Sequence, residues 1–121
     1  MRYSDLTLEY FRTAAGAGEL AGPGTHRGAA GNRAHGTWVQ FDVHANNGII
    51  DAARFLAFGC PHTVAVSAWI VEHAIGRQLQ ASLPESVEEL SARFSVPVEK
   101  RGRLLIIEDA WLAAMSGALP Q

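Results

Sequence analysis

The sequence predicts a single α+β domain in which a small antiparallel sheet, built on one hairpin, packs against helices. Three observations carry that prediction. Residues 38–44 alternate apolar and polar side chains and are followed by an Asn47-Gly48 pair, the run after Cys60 repeats apolar residues at helical spacing, and two further helical patterns follow it. Helices gathered around one short antiparallel sheet form an α+β arrangement. At 121 residues the chain has length for one hydrophobic core but not for two, so 1–121 is expected to be one unit. It contains no internal repeat.

Each element has its own local signal. Ser4 suits the N-cap of a short first helix with Leu6, Leu8, Tyr10 and Phe11 as apolar contacts, loosely packed at one edge, and Gly16 and Gly18 are expected to end it. Residues 16–36, "GAGELAGPGTHRGAAGNRAHG", hold so many glycines that ordering them is entropically expensive, and the stretch is expected to be a mobile loop. From Trp38 to His44 the alternation puts Val39, Phe41 and Val43 on one face and Gln40, Asp42 and His44 on the other, the period of a half-buried strand. Asn47-Gly48 tolerates positive φ at both central positions of a type I′ turn, so residues 49–58 are expected to fold back antiparallel. Val64, Ala68, Val71 and Ile75 then predict a helix that buries one face on the sheet and stops at Gly76. "LPESVEELSARF" predicts a solvent-covered helix starting at Pro84, with acids in its first turn and Arg93 in its last. "VEKRGR" reads as a basic loop, and a final helix with Glu108 and Asp109 in its first turn carries Ile107, Trp111 and Met115 before stopping near Gly117.

Composition removes several function classes. A formal net charge of −2 offers no basic face for phosphate counterion release, so nucleic acid is not an expected partner. No apolar run approaches the roughly 20 residues of a membrane span, and the acidic start lacks the pattern of a signal peptide, so a cytoplasmic protein with no membrane partner is expected. The glycine stretch lacks the G-K-[ST] of a P-loop and leads into a strand, and no G-x-S-x-G elbow occurs, so neither nucleotide binding nor serine hydrolysis is expected. His26, His44 and His73 stand alone and receive no role. The face carrying Glu85, Glu88 and Glu89 reads as solvated.

Cys60 is the one cysteine, so any sulfur chemistry must pass through it and no internal disulfide can form. If Asn47 and Gly48 are the two loop residues, the ladder extended to its open end sets His35 opposite Cys60, subject to any bulge on the way. Pro61 fits a first helical position, making Cys60 an N-cap where the helix dipole favours thiolate over thiol. His62 follows in the first turn and could face the same point. Thiolate and imidazole both ligate zinc and iron, so Cys60, His35 and His62 are the candidate metal ligands, with a coordination position left over.

Four strings, "YSDLTLEYF", "GIIDAARFLAFGC", "HTVAVSAWIVEHAIGRQL" and "EDAWLAA", resemble in that order and over nearly the whole chain the IscU/NifU-type iron–sulfur cluster scaffold family. The resemblance implies a small α+β domain that assembles a cluster from iron and from sulfur delivered by a cysteine desulfurase, then passes it on, often with chaperone help. The departures fall on the site. The family's A-C-G-D motif is Ala34, His35, Gly36 and Thr37 here; the second family cysteine is Cys60; and the His-Cys-Ser stretch falls on Gly102, Arg103 and Leu104. The family's Leu-Pro-Pro-Val-Lys segment matches Val96, Pro97, Val98, Glu99 and Lys100, keeping one proline of two, which weakens the case for a chaperone partner.

A two-iron cluster normally has four protein ligands, more than Cys60, His35 and His62 supply. Arg103 near Cys60 would instead stabilise the bare thiolate. The expectation is a scaffold-like, non-enzymatic protein with an altered site that binds zinc, iron or an atypical iron–sulfur cluster through Cys60 and His35, a second chain or a small thiol completing any cluster. The alternatives are a cluster-free interaction or regulatory module on a cysteine desulfurase or chaperone surface, and a thiol enzyme with Cys60 as nucleophile and His35 as base.

Overall fold

The elements of the computed structural model, which describes residues 2–118, run α1 (Asp5–Thr13), β1 (His26–Asn32), a 3-10 turn (Arg33–His35), β2 (Thr37–Asn46), β3 (Ile49–Phe58), α2 (Pro61–Ala74), α3 (Val87–Arg93), a second 3-10 turn (Val98–Lys100) and α4 (Arg101–Ala118). The strands form one antiparallel sheet of order β1-β2-β3, so the expected α+β class holds. No helix among the described residues is long and apolar enough to cross a membrane.

The hairpin follows from its turn. Asn47 (φ 54°) and Gly48 (φ 79°) both take positive φ, and Asn46 pairs with Ile49 across them. Val39, Phe41 and Val43 are fully buried, and Phe41 meets Trp111 edge-on at 5.3 Å between ring centroids. Along α4 the stripe Ile107, Trp111 and Met115 is buried as the spacing predicts, together with Leu104, Ala110 and Ala114. Helix α2 is apolar almost all round because β3 covers one side and α1 another, and a helix hydrophobic on every face must be enclosed. Ile75 lies outside that burial as an exposed C-cap.

Several expectations need correction. The glycine-rich 16–36 stretch contains strand β1, an edge strand paired with β2 from His26↔Val43 to Asn32↔Thr37. Its glycines serve contact as well as freedom. A Cβ on Gly28 would lie 2.0 Å from the Ala114 nitrogen, so α4 crosses β1 backbone against backbone. Residues 16–20 then wrap the sheet. Gly16 and Gly18 exchange hydrogen bonds with Phe55 on the outer edge of β3, and the Leu20 N–H donates to Asp42 at 2.8 Å. That wrapping buries Gln40 and Asp42, which the alternation had assigned to an open face. Asp42 receives Arg27 through Nε and Nη2 at 2.7 and 2.8 Å.

Helix boundaries also move. Ser4 caps α1 as expected, accepting from the Thr7 N–H at 3.1 Å, but the helix ends at Ala14 in the left-handed region before either glycine. Helix α3 starts at Val87, not at Pro84, because Ser86 and Glu89 form a reciprocal capping box. The basic "VEKRGR" segment is a 3-10 turn leading straight into α4, so Glu108 and Asp109 lie well beyond the first turn, and α4 passes Gly117 to Ala118. Leu79 N–H to Gly48 O, at 2.8 Å, and the Ile49–Gln78 bridge close the turn end of β3.

Candidate functional site

Chain direction fixes Cys60. β3 ends at Phe58, α2 begins at Pro61, and between them Cys60 takes extended backbone angles (φ −72°, ψ 169°) as the N-cap of a 14-residue helix. Proline at the first helical position costs nothing because its missing N–H would have lacked an intrahelical acceptor. The Cys60 side chain is half-buried, with Sγ 3.7 Å from the Thr63 hydroxyl.

Thr63 and His62, the residues that open α2, are buried. The His62 ring meets Tyr3 edge-on at 4.8 Å, and its Nδ1 has no hydrogen-bond partner among the described residues. Lys100 reaches the same corner from the second 3-10 turn, with Nζ donating to the Tyr3 hydroxyl at 3.4 Å and lying 5.2 Å from its ring centroid. Arg103, in the first turn of α4, has a buried Nε with no hydrogen-bond partner among the described residues.

The electrostatics favour the thiolate. Burial pushes the Cys60 thiol up, but the N–H and hydroxyl of Thr63, the N–H of His62 and the charge of Lys100 outweigh it, and the thiol lies below its ordinary value. His62 is lowered first by burial and then by the charges of Lys100 and Arg103, so its neutral form is favoured. The corner thus combines a thiol shifted toward its anion, an imidazole shifted toward its neutral form and two cations. Thiolate and neutral imidazole are the ligating forms of these groups. The cations disfavour a divalent metal and favour an anionic sulfur species, and a single activated thiolate is competent as a nucleophile or as one ligand.

His35 is exposed at the end of the first 3-10 turn. A bulge between His44 and Ala45 shifts the hairpin register by one residue, and its last pair is Trp38↔Phe58. Continued two residues further, that register would set Gly36 opposite Cys60 and leave His35 one residue beyond. Among the described residues no three His, Cys, Asp or Glu side chains gather to hold a metal ion, so Cys60, His35 and His62 do not form a ready ligand set. Thr37 is buried at the start of β2, and Gly102 has open space where a Cβ would stand. Sequence reasoning missed Tyr3 and Thr63 and gave Lys100 no place beside the thiol. Thr63, three residues after an N-cap, was the readable one.

Comparison with known proteins agrees with this architecture. Residues 2–117 match the family profile described as NifU-like N terminal domain. The iron-sulfur cluster assembly scaffold protein IscU of Azotobacter vinelandii is 27% identical over 118 residues, covering 95% of this chain and 92% of that protein. The IscU scaffold protein of Haemophilus influenzae is 27% identical over 121 residues, covering 96% and 94%. Among solved structures, the N-terminal part of a nitrogen-fixing NifU-like protein from Brucella abortus superposes with a TM-score of 0.74 at 16% identity, covering 95% of this chain and 92% of that one. That likeness shows the fold.

Proposed function

This chain belongs to the NifU-like N-terminal domain family, and from that premise we propose that it serves iron–sulfur cluster assembly as a non-enzymatic, scaffold-type protein offering one thiolate. The observation that carries the reading is Cys60 at the N-terminus of α2, held toward its anionic form beside neutral His62. Its cargo is sulfur, iron or a cluster as substrate, bound through Cys60 with His35 or His62 as the nitrogen ligand and completed by ligands from a small thiol or a partner such as a cysteine desulfurase. One zinc or ferrous ion would be bound the same way only where the thiolate and the added ligands outweigh the charges of Lys100 and Arg103.

The test is anaerobic reconstitution with iron, sulfide and glutathione, read by visible absorbance and metal content. Wild type should gain about one metal equivalent or a cluster band, as few-ligand sites do. Cys60→Ser should lose it, and His35→Ala should weaken it. Uptake that is absent from wild type, or unchanged in Cys60→Ser, removes this reading.

A second reading has its own support in Lys100 and Arg103, two cations where a ligand set would be expected to carry negative charge. On that reading the chain is a cluster-free module that occupies a desulfurase surface, with Cys60 binding no metal. Binding to a cysteine desulfurase that is unchanged in Cys60→Ala, together with failed reconstitution, is its signature.

A further inference from the structure

The far end of α2 holds a second polar recess, roughly 14–20 Å along the helix from Cys60 at 1.5 Å per residue, and the scaffold reading gives it no role. It is a cleft of about 200 Å³ between the C-terminal half of α2 and the 77–93 segment, lined by Trp69, His73, Arg77, Pro84, Glu85 and Arg93. We propose that this cleft binds the oxyanion head, carboxylate or phosphate, of a small anionic ligand, with Arg77 as the anchoring group.

The walls of the cleft are already organised. His73 stacks on the Trp69 indole at 4.0 Å and 17°, and its Nδ1 lies 2.9 Å from the Trp69 carbonyl. A carbonyl can only accept, so Nδ1 carries the hydrogen, and in the neutral ring Nε2 is an acceptor and not a donor to the anion. The Arg93 guanidinium lies 5.0 Å from the Trp69 ring centroid, and its Nε and Nη2 donate to the Glu85 carboxylate. Glu85 is therefore spent on Arg93. Arg77 uses Nη1 on the Pro84 carbonyl at 3.1 Å and has no carboxylate partner among the described residues.

Charge and size choose the ligand class. With Glu85 paired to Arg93, which Glu89 also faces, Arg77 is the lining cation without a carboxylate partner among the described residues, and its planar fork matches the two oxygens of a carboxylate or phosphate. The volume equals the share of about six or seven liquid waters, which suits a head group and not a whole drug-sized molecule. The buried Trp69 indole holds the His73 ring in place beside that charge.

The test titrates isotopically labelled protein with inorganic phosphate and, separately, with acetate, against sodium chloride at matched ionic strength, following indole, imidazole and arginine Nε resonances. Saturable shifts are expected at Trp69, His73 and Arg77 with millimolar affinity, which is the scale for so few ligand atoms. Arg77→Gln should weaken binding at least tenfold, and Arg77→Lys should fall between it and wild type because it keeps the charge and loses the fork. Arg77 is exposed beyond the end of α2, and the amide spectrum of each variant checks its fold. Saturation by one anion alone supports the site and names its head group. Shifts that chloride reproduces, no saturation up to about 50 mM of either anion, or unchanged affinity in Arg77→Gln would each overturn the proposal.

Discussion

Gly28→Ala should be among the most destabilising single-methyl additions in this chain. A Cβ there would lie 2.0 Å from the Ala114 nitrogen, 2.4 Å from the Ala113 carbonyl carbon and 2.7 Å from the Ala114 Cα. Ordinary non-bonded contact is about 3.5 Å, so the two backbones would have to part by roughly 1.5 Å. All three atoms are main chain, so no rotamer change can absorb the displacement. Moving α4 away from β1 also loosens the edge-on packing of Trp111 on Phe41. Overpacking that side chains cannot relieve costs about 3 kcal/mol or more, a large fraction of a domain's 5–15 kcal/mol. Gly102→Ala is the matched control. Gly102 sits in the first turn of α4 with nothing within 4 Å of the new methyl, so the same change should stabilise by about 0.5–1 kcal/mol through helix propensity. Urea unfolding followed by far-UV circular dichroism measures both. A Gly28→Ala variant within about 1 kcal/mol of wild type would refute the account of β1 as a strand that needs glycine beneath α4.

Three further outcomes are expected. Burial raises the Asp42 carboxyl, but Arg27, the Leu20 N–H and Gln40 outweigh it and hold it below its ordinary 3.8, so its contribution to stability is complete above that value and is lost as pH falls through the lower native one. In Asp42→Asn the urea midpoint should fall less than in wild type between about pH 5 and 2, the acid range of such linkage; parallel curves would show that the carboxylate is not coupled to folding. Ser86→Ala removes one half of the α3 capping box and should cost about 1 kcal/mol, read as a lower thermal midpoint. Ala14→Gly should raise that midpoint, by about 0.5–1 kcal/mol of stability, because Ala14 sits at φ 42° and ψ 39° where a Cβ is penalised; a loss of stability would contradict the left-handed cap.

What was legible in the sequence was local. Asn47-Gly48 announces its own turn, alternation marks Val39, Phe41 and Val43, the four-residue spacing marks Ile107, Trp111 and Met115, and the Cys60-Pro61 pair marks a helix start. What was hidden depends on distant partners. Nothing near Gly28 says that a helix some 85 residues later will rest on it, so the glycine-rich stretch reads as a loop until α4 is in place. The bulge at His44 leaves no composition signal, yet it shifts by one residue every pairing from there to the open end of the hairpin. The corner around Cys60 draws Tyr3 from the start of the chain and Lys100 from near its end, a convergence that tertiary packing alone creates. Ser86-x-x-Glu89 is different: that signature was readable before the helix was seen.

The backbone that wraps β3 has a consequence for how molecules of this protein meet one another. An open strand edge is a template on which another chain can add its own strand, the first step toward aggregation. Here the outer edge of β3 is occupied near one end by Gly16 and Gly18, bonded to Phe55, and at the other by residues 76–79, bonded to Ile50 and Gly48. The chain uses its own loops as edge guards, and intermolecular strand addition along β3 would first have to displace both.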